Sequence, residues 1–86
     1  MEIKLLEDAD EDLAFWIKSG NKSVQKKINV LLLSIKETPY SGSGNLKRLN
    51  TDFPAWSRRI NHKYRLVYEI DEEANLIFNP SLKGHY

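Results

Sequence analysis

The sequence contains no cysteine, a single methionine and only three prolines among its 86 residues. The absence of cysteine excludes disulfides, and no group of residues has the spacing of metal ligands, so packing alone must hold the fold. There is also no long apolar run and no signal-peptide pattern. We therefore expect a cytoplasmic protein without metal, cofactor or membrane association, built as one small domain over residues 1–86.

The net charge of +1 conceals an uneven distribution. Residues 1–46 carry six Lys/Arg and seven Asp/Glu, whereas residues 47–65 carry six basic residues against Asp52 alone. Residues 66–86 carry one lysine and four acids, so the three segments have net charges of −1, +5 and −3. A concentrated positive segment favours a polyanionic partner.

Two helices are predicted in the first half of the chain. Asp8 or Asp10 is expected to cap a helix that runs to about Ser19, and Asn21 or Ser23 to cap a second helix after a break at Gly20. Thr38-Pro39 is expected to end the second helix. The apolar faces are predicted at Leu13, Phe15, Trp16 and Ile17 in the first helix, and at Val24, Ile28, Leu31, Leu32 and Ile35 in the second.

Strands are predicted on both sides of the helices. Residues 3–6 read as an edge strand, and residues 47–49 as a short strand before a hairpin. An acidic turn at 71–75 and a strand at 76–78 follow, and Asn79-Pro80 is expected to interrupt that strand. Residues 81–86 are then an edge strand or a tail. The expected fold class is α+β, with two helices on one face of a twisted, mainly antiparallel sheet and the other face open.

The hairpin at 56–70 carries its charge in an unusual arrangement. A three-residue loop over Asn61 to Lys63 would place Arg59 and Arg65 on one face, as close neighbours, because a slip of one residue reverses every side chain. The apolar residues then share the other face. They are Trp56, Ile60, Tyr64, Leu66, Tyr68 and Ile70.

Two interpretations of the arginines follow from this register. Adjacent guanidiniums repel each other, which favours a site where an anion such as phosphate lies between them. The alternative is a solvated outer face with scattered charge. Arg58 falls on the buried face, where we expect it to pair with an acid or lie at the sheet rim, and we expect His62 to be a surface residue.

The Trp-Ser-Arg-Arg-Ile run at 56–60 and the final His85-Tyr86 are two of several motifs in this sequence. Together these motifs resemble those of the YoeB/Txe toxins of bacterial toxin–antitoxin pairs, within the RelE superfamily. The similarity spans nearly the whole chain, and its most specific elements are the Trp-Ser-Arg-Arg-Ile run at 56–60 and the terminal His85-Tyr86. The other matching positions are Gly20-Asn21-Lys22, Lys26-Lys27-Ile28, Thr38-Pro39-Tyr40 with Gly42 and Gly44, Tyr64 to Tyr68, and Lys83-Gly84.

The resemblance implies a RelE-like fold and a ribosome-dependent endoribonuclease that cuts mRNA in the ribosomal A site. It implies as partners the ribosome, mRNA and a cognate YefM/Axe-like antitoxin, with operator DNA contacted only through the antitoxin complex. Members often form homodimers, so a homodimer is a further expectation.

The resemblance also implies roles for individual residues. Arg59 and Arg65 match the arginines that stabilise the scissile phosphate, and His85 matches the general acid, with Tyr86 expected to stack on a base. The family glutamate that serves as general base is replaced by Lys47. A lysine acts as a base only when neutral, a form that neighbouring arginines favour. The expected contacts with RNA or the ribosome are Arg48, Asn50, Lys63 and Lys83.

Because that glutamate is absent, a second function stays open. The chain would then be a weakened or inactive homologue that binds the antitoxin and represses its own operon. A free RNA-binding module is a third hypothesis, in which binding would not depend on ribosomes.

Overall fold

In the computed structural model, which describes residues 1–42, 44–49 and 55–84, two helices pack on a five-stranded sheet. The helices are α1 (Glu7–Ser19) and α2 (Lys22–Glu37). The strands are β1 (Glu2–Leu5), β2 (Lys47–Arg48), β3 (Ala55–Arg59), β4 (Arg65–Asp71) and β5 (Leu76–Gly84). The strand order is β1-β5-β4-β3-β2, and only the pairing of β1 with β5 is parallel. The predicted α+β fold class is confirmed.

The N-terminus of α2 is capped as predicted, whereas that of α1 is not. Asn21 caps α2 as predicted, because its Oδ1 accepts a hydrogen bond from the Val24 N–H at 3.1 Å. The N-cap of α1 is Leu6, which makes no side-chain cap, so the prediction of Asp8 or Asp10 was wrong. Both aspartates lie inside the first turn, where their charge favours the positive end of the helix dipole.

The main core lies between the helices and one face of the sheet. The stripe of α2 is confirmed, with Val24, Ile28, Leu31 and Ile35 buried. In α1 the buried residues are Ala9 and Trp16, whereas Phe15 and Ile17 were wrongly expected to be covered and are 48% and 59% exposed. The sheet contributes to this core Ile60, Leu66, Tyr68, Ile70, Ile77 and Leu82.

The last strand differs from its prediction. It runs unbroken through Asn79 and Pro80, and it lies in the middle of the sheet between β1 and β4. Its register on β4 shifts on both sides of Val67, which accommodates a proline that has no N–H to donate. The Asn79 Nδ2 donates to the Val67 carbonyl at 2.6 Å and so replaces a ladder hydrogen bond.

Helix α1 is fixed to β5 at the same irregularity. The Asp12 carboxylate accepts a hydrogen bond from the Leu82 N–H at 3.0 Å, and the Trp16 Nε1–H donates to the Leu82 carbonyl at 3.1 Å. Side chains of the helix thus satisfy the backbone groups of β5. These contacts hold the C-terminal part of β5 in place beside β4.

The second face of the sheet is less open than predicted. Leu49, Ala55 and Val67 form a small buried cluster there. Ser57 and Arg65 are also buried, at 0% and 5% exposure. Within the described residues, no helix has the length and apolar character needed to cross a membrane.

Candidate active site

The hairpin of β3 and β4 has the register that the sequence predicts. Arg59 lies directly opposite Arg65, and Ser57 opposite Val67, so these side chains share one face. The Ile60 N–H donates to the Tyr64 carbonyl at 3.0 Å and closes the loop. The predicted pair of arginines is therefore confirmed as a cross-strand pair.

The two arginines have different environments. The Nε–H of Arg65 donates to the Ser57 Oγ at 2.8 Å, and its Nη2 donates to the carbonyls of Ser57 and Asn45. Burial lowers the pKa of Arg65, and the nearby charge of Arg59 lowers that pKa further. Arg65 is thus a fixed and buried cation, which corrects the expectation that this face of the sheet is open at both arginines.

Arg59 is exposed and stands at the end of β3. Its backbone N–H donates to the Gly44 carbonyl, and this hydrogen bond joins the hairpin to the loop that precedes β2. Arg59 also lines a groove of about 380 Å³ between α2 and the hairpin. Arg59 is therefore the more accessible member of the pair.

Lys47 lies on the same face as the arginine pair. It is exposed on β2 and pairs with Ser57, whose hydroxyl holds Arg65. Arg48 pairs with Trp56 instead and therefore projects from the opposite face, with its guanidinium 5.3 Å from the ring centroid of Trp56. The sheet thus places on one face three of the five residues expected to act in catalysis.

The other predicted site residues are distributed more widely. The Nζ of Lys63 lies 5.3 Å from the ring centroid of Tyr64, and that of Lys83 lies 3.9 Å from the ring centroid of Phe15 on α1. Gly84 pairs with Arg65 at the end of β5. Asn50, His85 and Tyr86 lie outside the described residues.

Comparison with known proteins gives a consistent result. Residues 5–86 match the family described as YoeB-like toxin of bacterial type II toxin-antitoxin system. Toxin YoeB of Escherichia coli strain K12 is 33% identical over 87 residues, which covers 100% of both chains. This chain belongs to the YoeB-like toxin family.

Solved structures of the family agree with that assignment. The YoeB dimer from Staphylococcus aureus superposes with a TM-score of 0.86 at 38% identity, over 100% of this chain and 98% of that one. The YoeB-YefM heterotetrameric complex from the same organism gives a TM-score of 0.81 at 38% identity and the same coverage. The predicted resemblance and RelE-like fold are confirmed.

Sequence reasoning missed the part that Arg58 has in this YoeB-like chain. Arg58 is fully buried, and it pairs with neutral oxygens rather than with the acid that we expected. Its Nη1 donates to the Ser34 Oγ at 2.7 Å, and its Nη2 donates to the carbonyls of Thr38 and Ser41 at 2.7 Å each. Arg58 thereby ties the loop after α2 to the helix-facing side of the β3–β4 hairpin.

Tyr68 completes this arrangement. Its hydroxyl donates to the Pro39 carbonyl at 2.7 Å and accepts from the Arg58 Nε–H at 3.2 Å. Burial raises the pKa of Tyr68, against the opposing effect of Arg58, so the phenol keeps the proton that it donates. The one available signal in the sequence was an arginine on an apolar strand face, which requires acceptors that only a nearby loop could supply.

Proposed function

We propose that this protein is a ribosome-dependent endoribonuclease that cleaves mRNA in the A site and so inhibits translation. The observation that carries the proposal is the direct pairing of Arg59 with Arg65 on a face that also bears Lys47. Like charges on directly opposite residues of neighbouring strands are unfavourable, and a bound phosphate would offset that cost. The nuclease character of the toxin family supports the same conclusion.

The chemistry needs no group beyond side chains. The 2′-oxygen of the RNA attacks the adjacent phosphorus, the bond from phosphorus to the 5′-oxygen breaks, and a cyclic 2′,3′-phosphate and a 5′-hydroxyl form. Lys47 in its neutral form accepts the proton of the 2′-hydroxyl, and His85 donates a proton to the leaving oxygen. Tyr86 stacks on a base and orients the nucleotide.

The arginines stabilise the charge that develops on the phosphorane. Arg65 is held by Ser57 and Asn45 before substrate arrives, so no reorganisation is needed during the reaction. Arg59 is free to close on the phosphate from the exposed side. Gly84 pairs with Arg65, which brings the residue that precedes His85 beside this centre.

The remaining expected contacts are proposed for the ribosome or the mRNA outside the cleaved nucleotide. Arg48, Lys63 and Lys83 would neutralise phosphates there, and the Asn50 amide would donate a hydrogen bond. We further propose that a YefM-like antitoxin neutralises the toxin, by analogy with the heterotetramer from S. aureus, and that operator DNA is contacted through that complex. The S. aureus dimer supports self-association as well.

A second candidate function rests on one feature, the lysine at position 47 in place of the family glutamate. Without a competent base, the chain would retain antitoxin binding and act as an operon co-repressor. Binding to the antitoxin is common to both hypotheses and does not separate them.

Induction in cells followed by primer extension on a translated message separates the two functions. Cleavage predicts new mRNA ends inside the translated frame within minutes, and their absence from an untranslated copy of the same message. If translation stops and no new ends form, the nuclease proposal is wrong. If translation continues unaffected, the co-repressor is the better description.

A further inference from the structure

A basic groove lies beside the arginine pair, and no role has so far been given to it. We define the basic groove by the residues that line it, and its volume is about 380 Å³. Its walls come from α2, from the loop before β2 and from the turn of the hairpin. The lining residues are Lys27, Gly44, Asn45, Arg59, Ile60, Asn61 and His62.

The charge of this groove is of one sign. Lys27 is half-buried on α2, whereas Arg59 and His62 are exposed on the hairpin, and no acid is among the described residues that line the groove. Lys27 and Arg59, cations from separate elements, both line the groove, and none of the described lining side chains is an acid that would neutralise them. Such a surface attracts an anion.

Two larger grooves of the described chain are richer in acids. One of about 660 Å³ has four acids in its wall, including Glu69 and Glu72, and a second of about 410 Å³ has Asp8, Glu11 and Asp12. Acids outnumber cations in both, since among the described residues Arg48 is the one cation in the first wall and Lys83 the one in the second, so an anionic chain is less favoured inside them. The basic groove is thus the favoured path for an anionic chain that leaves the arginine pair.

Hydrogen bonds fix the walls of the groove. The Asn61 Oδ1 accepts from the N–H groups of Lys63 and Tyr64, at 2.9 and 2.8 Å, and this orients the Asn61 amide within the turn. Gly44 lies so close to α2 that an added Cβ would come within 2.9 Å of the Leu31 Cδ2. The loop and the helix are therefore in tight contact at the groove floor.

We propose that the basic groove binds the RNA phosphodiester adjacent to the scissile one, with Lys27 and His62 as its ligands and Arg59 shared between the two phosphates. The proposal rests on the proposed nuclease function for the class of its ligand. It adds a binding subsite that includes a helix residue, Lys27, and a second imidazole, His62.

The test uses a trinucleotide RNA in which each sugar is 2′-deoxy or 2′-O-methyl, so that it binds and is not cut. The chain has two histidines, so its imidazole carbon and proton resonances in NMR spectra are few, and His62→Gln assigns them. Titration of the trinucleotide into the 86-residue chain is expected to shift the His62 resonances in a saturable way. Because no ribosome and no cleavage are involved, loss of nuclease activity would leave this result intact.

Lys27→Ala and Lys26→Ala form a matched pair on the same helix, since Lys26 is exposed and does not line the groove. Lys27→Ala is expected to weaken binding by about 2- to 5-fold, the range of an exposed charge contact. It should also reduce the slope of log affinity against log salt by about 0.7, the value for one phosphate contact on a single strand. Lys26→Ala should change neither quantity.

Two results would overturn the proposal. In the first, the His62 resonances stay unmoved while the trinucleotide shifts those of His85, which would route the RNA away from the groove. In the second, Lys26→Ala and Lys27→Ala weaken binding equally, which would reduce the effect to overall charge. A groove that serves an acidic antitoxin segment instead would give the first of these results.

Discussion

Arg59 and Arg65 form one cross-strand pair, yet they differ in exposure and in hydrogen bonding. Arg65 is 5% exposed and donates to Ser57 and Asn45, so it supports the fold as well as the proposed chemistry. Arg59 donates from its backbone to Gly44, and its side chain is exposed. Substitution of Arg65 should therefore lower both stability and activity, whereas substitution of Arg59 should lower activity alone.

Arg59→Ala is expected to change the free energy of unfolding by no more than about 0.5 kcal/mol, as for most surface substitutions. Arg65→Ala should lower that free energy by about 2–4 kcal/mol, because it strands buried acceptors. Both should reduce single-turnover cleavage by about 10²-fold or more. Urea denaturation and ribosome cleavage assays measure the two effects, and an equal loss of stability in both variants would contradict the assignment.

Lys47 stands where the family resemblance implies a glutamate. If Lys47 acts in the site, Lys47→Glu should change the cleavage rate by about 10-fold or more in either direction, since it exchanges one acid–base group for another. Lys36→Glu is the control, because Lys36 is an exposed residue in the last turn of α2. A rate for Lys47→Glu that equals the wild-type rate would remove Lys47 from the mechanism.

At the scale of elements, the loop after α2 positions β2 beside β3. Arg58 holds the carbonyls of Thr38 and Ser41 from the helix side of the sheet, and Arg65 holds that of Asn45 from the other side. The loop is thus fixed on both faces immediately before the strand that carries Lys47. Buried guanidiniums thus hold the described part of this loop, and Leu46 packs against the main core as well.

Two glycines provide a matched test of this loop. Gly20 and Gly42 both have positive φ, 74° and 124°, but a Cβ at Gly20 meets nothing within 4 Å, whereas one at Gly42 comes within 2.8 Å of the Arg58 Nη1 and the Ser34 Oγ. Gly20→Ala should cost about 1 kcal/mol of stability, from backbone strain alone. Gly42→Ala should cost at least about 1 kcal/mol more, because the hydrogen-bonded guanidinium must move.

Urea denaturation of the two variants checks this expectation. Gly42→Ala should also lower the cleavage rate, since Lys47 is positioned by the same loop, while Gly20→Ala should leave it unchanged. Equal stabilities for the two variants would show that Arg58 can shift freely and that the loop is not fixed by it.

At the scale of the molecule, periodicity predicted much of the architecture. The stripe of α2, the Asn21 cap and the parity of the hairpin are local properties, and each was confirmed. The prediction that Asn79-Pro80 interrupts β5 was wrong. Pro80 is tolerated there because Asn79 supplies a substitute hydrogen bond and because β1 and β4 flank the strand. The hydrogen bond from Asn79 to the Val67 carbonyl cannot be read from the local sequence pattern.

The candidate site likewise combines features that follow from local sequence with features that depend on long-range packing. The position of Arg59 opposite Arg65 followed from register alone, whereas the burial of Arg65 depends on Asn45, which lies 20 residues earlier in the chain. The contacts of Arg58 depend on the loop after α2 in the same way. Long-range partners of this kind arise only when the elements pack.

The central claim is that this face of the sheet directs a 2′-hydroxyl onto its neighbouring phosphate. The most direct measurement is single-turnover cleavage, on purified ribosomes, of an mRNA that carries one 2′-deoxy nucleotide at the cut site. We expect the ribose message to give a cyclic 2′,3′-phosphate end and the 2′-deoxy message to stay intact at that position. Cleavage of both messages at the same rate would contradict the account.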